Sequence, residues 1–194
     1  MLNVEAHASA IASFLAERSG EAIRLRLATE ADAAFLLDLR LDPTRNQNIS
    51  ATSANLGDQV KWMRSYEARH LAGQEAYFVI EVDGSTQGSL RIYDYDSVTD
   101  SYCWGSWIIR PGNAPATAFH SILLAYDLAF GPLQFSRARF DVRQANVSVW
   151  KFHEKMGAKL SHENALNRQY EYPAAEYPHA RIWIQKFAQL GKLR

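Results

Sequence analysis

Hydrophobic positions change their period repeatedly along the chain, and each change predicts an element. Val4, Ala8, Ile11 and Leu15 recur at helical spacing, so the first twenty residues predict an amphipathic helix ending near Gly20. Residues 23–28, reading Ile-Arg-Leu-Arg-Leu-Ala, alternate apolar and charged as a half-buried strand does. Thr29 with Asp32 three residues on forms a capping-box pattern, opening a helix to about Leu41 with Ala33, Leu36 and Leu37 inward. Residues 42–57 are polar and rich in turn formers, which reads as a loop. A second helix follows over about 58–72, with Val60, Met63, Tyr66 or Glu67, and Leu71 on one face.

The pattern then turns to period two. The β-rich runs 77–82 and 88–96 flank Asp83-Gly84, a hairpin signal, and 101–110 is a third apolar, aromatic strand. Residues 110–114, Arg-Pro-Gly-Asn-Ala, lead into a helix over about 115–130 whose buried face is Phe119, Ile122, Leu123, Tyr126 and Phe130, stopped by Gly131-Pro132. Residues 137–143 alternate strictly. Residues 146–157 form a short helix with Asn146 as N-cap, Lys155 in the last turn and Gly157 just past the end. Two final strands are expected over about 158–171 and 180–187. The order β-α-α-β-β-β-α-β-α-β-β predicts an α/β fold with a mixed sheet and helices on both faces. Open sheets of this kind bind ligands beyond the C-terminal ends of strands, where residue 110 lies.

Composition narrows the class. A chain of 194 residues predicts one domain, with 1–20 as an N-terminal helix and 22–188 as its core. Lys plus Arg and Asp plus Glu both number 21, so the basic excess of a nucleic-acid binder is absent. The single cysteine, Cys103, excludes an internal disulfide and suggests a reducing, cytoplasmic location; in its apolar strand it reads as inert core. The N-terminus lacks a basic start and carries Glu5, unlike a signal peptide, and no apolar run approaches the roughly 20 residues that span a bilayer. Scattered histidines and one cysteine offer no zinc site, so no metal is expected. The long first helix and the aromatic content allow a homodimer.

Three segments, Gln87–Asp96, Gly105–Phe130 and Phe140–Ala158, carry a resemblance. Val142, Asn146, Glu154, Lys155 and Gly157 match the spacing V-x-x-x-N-x-x-[AS]-x-x-x-[YF]-E-K-x-G-F of the GNAT acyl-CoA-dependent N-acyltransferases. Over about residues 22–188 the chain resembles that family, most closely the subgroup of ribosomal-protein alanine and amino-sugar acetyltransferases. The resemblance implies the GNAT fold, with an extra N-terminal helix, and acetyl-CoA as cosubstrate. It implies cofactor contacts from Ile108, Ile109, Arg110, Gly112, Asn113, Ala114, Ala116, Thr117, Asn146, Phe152 and His153. The chain also departs from the family pattern. The loop Arg110–Ala114 is one residue shorter than [RQ]-x-x-G-x-[GA]; His153 stands where the family often has Tyr; Cys103 stands where many members have Glu; and Ala158 replaces an aromatic.

Acyl transfer to an amine makes four demands. A diphosphate needs main-chain amides at a helix N-terminus, which residues 110–117 can supply if Pro115 does not remove a needed donor; otherwise the stretch is an ordinary connection. The amine must lose a proton, for which Asp94 and Asp96 are the leading candidates beside Glu81 and His120; water-mediated abstraction and a role as solvated strand-end acids are the alternatives. The oxyanion needs amides, which the resemblance places around Ile108 and Ile109. The thiolate needs a proton or hydrogen bond, which His153 can give if it titrates near neutrality. Arg45, Asn46, Asn48, Trp62, Tyr93 and Tyr95 are candidate acceptor lining. The expected activity is acetyl transfer to a small-molecule primary amine, such as an amino sugar, by direct attack in a ternary complex. A protein N-terminus as acceptor and a non-catalytic acyl-CoA-binding domain are the alternatives.

Overall fold

The computed structural model describes residues 4–190. Residues 1–3 of the expected first helix lie outside it. The elements in order are α1 (Val4–Glu17), β1 (Ile23–Leu27), α2 (Ala33–Leu41), α3 (Leu56–Leu71), β2 (Ala76–Val82), β3 (Ser85–Asp96), β4 (Ser101–Ile109), α4 (Pro115–Phe130), β5 (Arg137–Arg143), α5 (Val147–Met156), β6 (Lys159–Glu163), β7 (Asn167–Pro173) and α6 (Tyr177–Leu190). One seven-stranded sheet has the order β1-β2-β3-β4-β5-β7-β6. Every pair is antiparallel except β4 with β5, which is parallel. The mixed α/β sheet expected from the element order is therefore present.

Strand β2 shows how the layers form. Its alternate residues Ala76, Phe78 and Ile80 join a core with α1, α4, α5 and α6, while Tyr77 and Val79 join a second core with α2 and α3. A strand buried on both faces has to be continuously apolar, and Ala-Tyr-Phe-Val-Ile is. Thr29 and Asp32 do form the expected capping box, ahead of α2. Helix α1 packs on the domain itself through His7, Ile11 and Phe14; the buried face is rotated from the expected one, since Ala8 is exposed.

The C-terminal expectation needs two corrections. Residues 158–171 are not one strand: a turn at 164–166, closed by Asn164 accepting from the amides of Leu166 and Asn167 at 2.9 Å, folds them into the β6–β7 hairpin. Residues 180–187 are helical, inside α6. Their apolar residues Ala180 and Ile184 fall four apart and pack on α4, and the alternation seen in a short window was incidental.

Candidate active site

The site exists because two parallel strands part. Ser101–Cys103 of β4 pair with Arg137–Arg139 of β5 and the ladder ends there, although β4 continues to Ile109 and β5 to Arg143. Beyond Cys103 the β5-facing edge of β4 has no strand partner among the described residues. Between the diverging strands opens a cavity of about 1040 Å³, lined also by the N-termini of α4 and α5 and by the segment 44–53.

A bulge shapes the β4 wall. Arg91 pairs with Gly105 and Ser89 with Ile108, so β4 holds one extra residue, and Ser106 takes a positive φ of 50° there. Ser89 Oγ donates to the Ser106 carbonyl at 2.8 Å. Gly88 is required beside it, because a Cβ at that position would lie 2.5 Å from the Ile108 carbonyl oxygen. The Arg110 amide donates to Gln87 O on β3 at 2.8 Å, so strand alternation turns the Ile109 amide toward the cleft and the Ile108 amide toward β3.

The loop after β4 answers the question Pro115 raised. Asn113 Nδ2 donates to Gln87 Oε1 at 2.9 Å and to Arg110 O at 3.1 Å, pinning the turn. Pro115 occupies the first helical position, where a missing donor costs the helix nothing. The amides of Gly112, Asn113, Ala114 and Ala116 make no hydrogen bond among the described residues. Four donors at the positive end of a 16-residue helix thus survive the shortened loop. Thr117 does not join them: its amide is committed to Ala114 O at 2.9 Å and its side chain is buried, as is that of Ala116. The lining includes Arg110, Asn113 and Ala114 but neither Gly112 nor Ala116, so only two of the four amides belong to residues that line the cavity.

At α5 the expectations change more. Asn146 stands at the N-cap position, yet its side chain makes no capping bond; its carbonyl accepts from Val149 and Trp150, and the residue lines the cavity. His153 also lines the cavity but is only 2% exposed, packed against Trp104 at 5.5 Å and Phe140 at 4.4 Å between ring centroids. Burial pushes its pKa down to about 3, so the near-neutral titration expected of it is absent and the ring is a neutral imidazole. Its Nδ1 has no hydrogen-bond partner among the described residues. Phe152 points away from the cavity, onto Phe119 and Trp183.

Asp94 and Asp96 do not line the cavity. Asp94 has a φ of 56° and the β3–β4 register shifts between Tyr93 and Asp96, so the alternation that was to aim both acids together is broken. Asp94 lies beside Arg139, and Asp96 accepts from the Val98 amide at 2.8 Å and Thr99 Oγ1 at 2.7 Å, organising a turn. Glu81 is occupied by Arg24 and Arg26 on β1, and His120 is outside the lining. Of the acceptor candidates, Arg45, Asn48, Trp62 and Tyr93 line the cavity. Asn46 instead donates to Leu41 O, and Tyr95 is packed between His7 and Phe135. Cys103 is half-buried, with its thiol pushed up to about 11 by burial.

The lining also holds residues that sequence reasoning missed: Arg40, Arg91, Arg143, Trp104 and Asp141. Arg91 is held by the buried carboxylate of Glu75, which also takes Arg69 at 2.6 Å, and its guanidinium lies over Tyr93 at 4.4 Å and Trp62 at 5.2 Å. Same-face alternation of Arg91 with Tyr93, and of Arg139, Asp141 and Arg143, was visible in the sequence; which face opens on a cavity was not. Among the described residues five arginines (Arg40, Arg45, Arg91, Arg110 and Arg143) and one carboxylate, Asp141, line the cavity; Arg91 is ion-paired with Glu75, and the Arg110 guanidinium lies over Phe35 at 4.9 Å. Among the described residues no group of His, Cys, Asp and Glu gathers as a metal site requires, and no helix is long and apolar enough to cross a membrane.

A family model for an acetyltransferase (GNAT) domain matches residues 22–159. No curated protein sequence matches the chain. Among solved structures, apo FdhC, a nucleotide-linked sugar GNAT, is 36% identical over 86% of this chain and 95% of its own, with a TM-score of 0.77. Mutant forms of the spermidine/spermine N-acetyltransferase SpeG from Vibrio cholerae share 16% identity over 82% of this chain and 98% of theirs, at a TM-score of 0.67. Mycobacterium smegmatis RimJ in complex with CoA-disulfide shares 20% identity over 82% and 88%, also at 0.67. The last two speak for the fold alone.

Proposed function

The chain belongs to the GNAT acetyltransferase family and is an N-acetyltransferase, and within that activity we propose that its acceptor is the primary amine of a nucleotide-linked sugar, acetylated directly from acetyl-CoA. The observation that carries this is the cationic lining: among the described residues five arginines, one of them (Arg91) ion-paired with Glu75, against one aspartate, in a chain whose charges balance overall. Acetyl-CoA brings a diphosphate, which the free amides of Asn113 and Ala114 ahead of α4 and Arg110 suit. Arg40 and Arg45 sit in the segment around 40–53, away from that loop in sequence, and form no salt bridge among the described residues, although Arg40 donates to Ser50 O at 3.0 Å. A second diphosphate, that of a nucleotide sugar, accounts for them, since the guanidinium fork matches phosphate oxygens. Trp62 and Tyr93 offer flat surfaces for a sugar or base. The likeness to FdhC supports the same acceptor class.

The residues on the cleft walls fit the cosubstrate. The unpaired edge of β4 offers main-chain donors and acceptors to the amides of an extended pantetheine arm, and the Ile109 amide suits a developing oxyanion. His153, neutral, serves as a hydrogen-bonding wall of the thiol end.

The test is thiol release from acetyl-CoA with UDP-glucosamine, free glucosamine, spermidine and a short peptide. UDP-glucosamine is expected to exceed free glucosamine at least tenfold in kcat/KM. Equal or better use of free glucosamine, spermidine or the peptide overturns the reading.

A further inference from the structure

The acids expected to accept the amine's proton are elsewhere, so the proton acceptor must be sought in the cavity itself. Asp141 is the one carboxylate among the described residues that line it. Its place follows from the register. The last β4–β5 pair is Cys103 with Arg139, so Gly105 and Asp141 each stand two residues beyond it, on the same face, where the strands have parted. Both line the cavity. Tyr93 covers the Gly105 side: a Cβ on Gly105 would lie 3.2 Å from Tyr93 Oη. Burial raises the pKa of both Tyr93 and Cys103, and the Asp141 charge adds to each rise.

The cations beside Asp141 are engaged with other groups. Arg139 donates to Ser101 Oγ at 2.8 Å and Asp94 O at 2.7 Å, and Arg143 donates to Asn167 Oδ1 at 3.0 Å. On β7 the opposite residue is the neutral Gln169, with Glu171 opposite Arg139, and His162 of β6 lies beyond Gln169. Asp141 itself makes no hydrogen bond or ion pair among the described residues, and it is exposed to the cavity. A carboxylate in a cationic lining is the one place where an ammonium group is attracted rather than repelled.

We propose that Asp141 is the catalytic residue that receives the acceptor's ammonium group and takes its proton. This rests on the acyl-transfer reading above. One N–H proton of the ammonium passes to Asp141, which releases it to solvent. The neutral nitrogen forms its bond to the acetyl carbon, whose oxygen becomes the oxyanion. Collapse breaks the carbon–sulfur bond, and the second nitrogen proton ends on the CoA sulfur.

The test compares wild type with Asp141→Asn and Asp141→Glu, using acetyl-CoA and UDP-glucosamine between pH 6 and 9. Asp141→Asn should lose roughly 100-fold in kcat/KM for the amine at pH 6.5, a usual share for a positioned base. It can use only amine already neutral in solution, so the deficit should shrink about tenfold per pH unit until the free amine's own pKa. Asp141→Glu should recover part of the rate. Acetyl-CoA should raise the melting temperature of Asp141→Asn as much as that of wild type. A kcat/KM for the amine within threefold of wild type at pH 6.5, or a deficit constant with pH, overturns the assignment. If wild type uses spermidine or the peptide instead of UDP-glucosamine, the nucleotide-sugar reading falls, and the same comparison with that amine decides on Asp141. Thiol release with none of these amines overturns both.

Discussion

His153 and Asn146 sit in the family's most specific segment, and both do something other than their spacing suggests. Asn146 holds an N-cap position with φ −85° and ψ 60°, outside the extended region from which a side chain reaches back to the helix amides. That leaves its amide group for the cavity. His153 is enclosed by aromatic rings, and its depressed pKa has a consequence for stability. In the unfolded chain the imidazole takes up a proton as pH falls through its ordinary 6.5; in the folded chain it does so only near 3. Between those values the unfolded state binds more protons, so stability falls as pH falls. His153→Phe should therefore flatten the acid-side decline of the melting temperature between pH 6.5 and 4. A decline as steep as that of wild type would place the acid sensitivity elsewhere.

At the scale of elements, the cleft depends on the β4 bulge rather than on any side chain that points into it. The extra residue near Ser106 turns the following amides, and Gly88 lets the Ile108 carbonyl approach. Gly88→Ala should cost roughly 1–3 kcal/mol, as overpacking does. It should also reduce the melting-temperature rise produced by acetyl-CoA, because the displaced strand carries the cleft wall. A stability loss with an undiminished acetyl-CoA shift would show that the bulge is structural only. Strands and helices with long, clean periods were legible: β1, β2, α4 and β5 stand where alternation or helical spacing put them. The misread parts are local. A three-residue turn divides β6 from β7, and a short apolar pattern in α6 fits either period until its neighbours are known. Asp94 and Asp96 went astray for a related reason, since a backbone with positive φ at Asp94 does not alternate.

The whole molecule concentrates positive charge that its composition hides. With a net charge of zero overall, five arginines converge on the cavity. Attraction between such a cavity and a doubly phosphorylated acceptor is screened over about 10 Å at 0.1 M salt. Raising salt from about 0.05 to 0.3 M should therefore raise KM for UDP-glucosamine several-fold. KM for free glucosamine, which carries no phosphate, should not rise. Parallel salt responses for the two would remove the arginines from acceptor binding. The sequence by itself determined the element order as far as α5, the mixed sheet, the family and the loop that precedes α4. These rest on short-range periodicity and on a motif of residues close in the chain. Only the tertiary structure decided which side chains meet. Arg40, Arg91 and Asp141 lie on different elements, and they share a cavity because the parallel β4–β5 ladder stops after three pairs. That parting is set by long-range strand register, which no local pattern encodes.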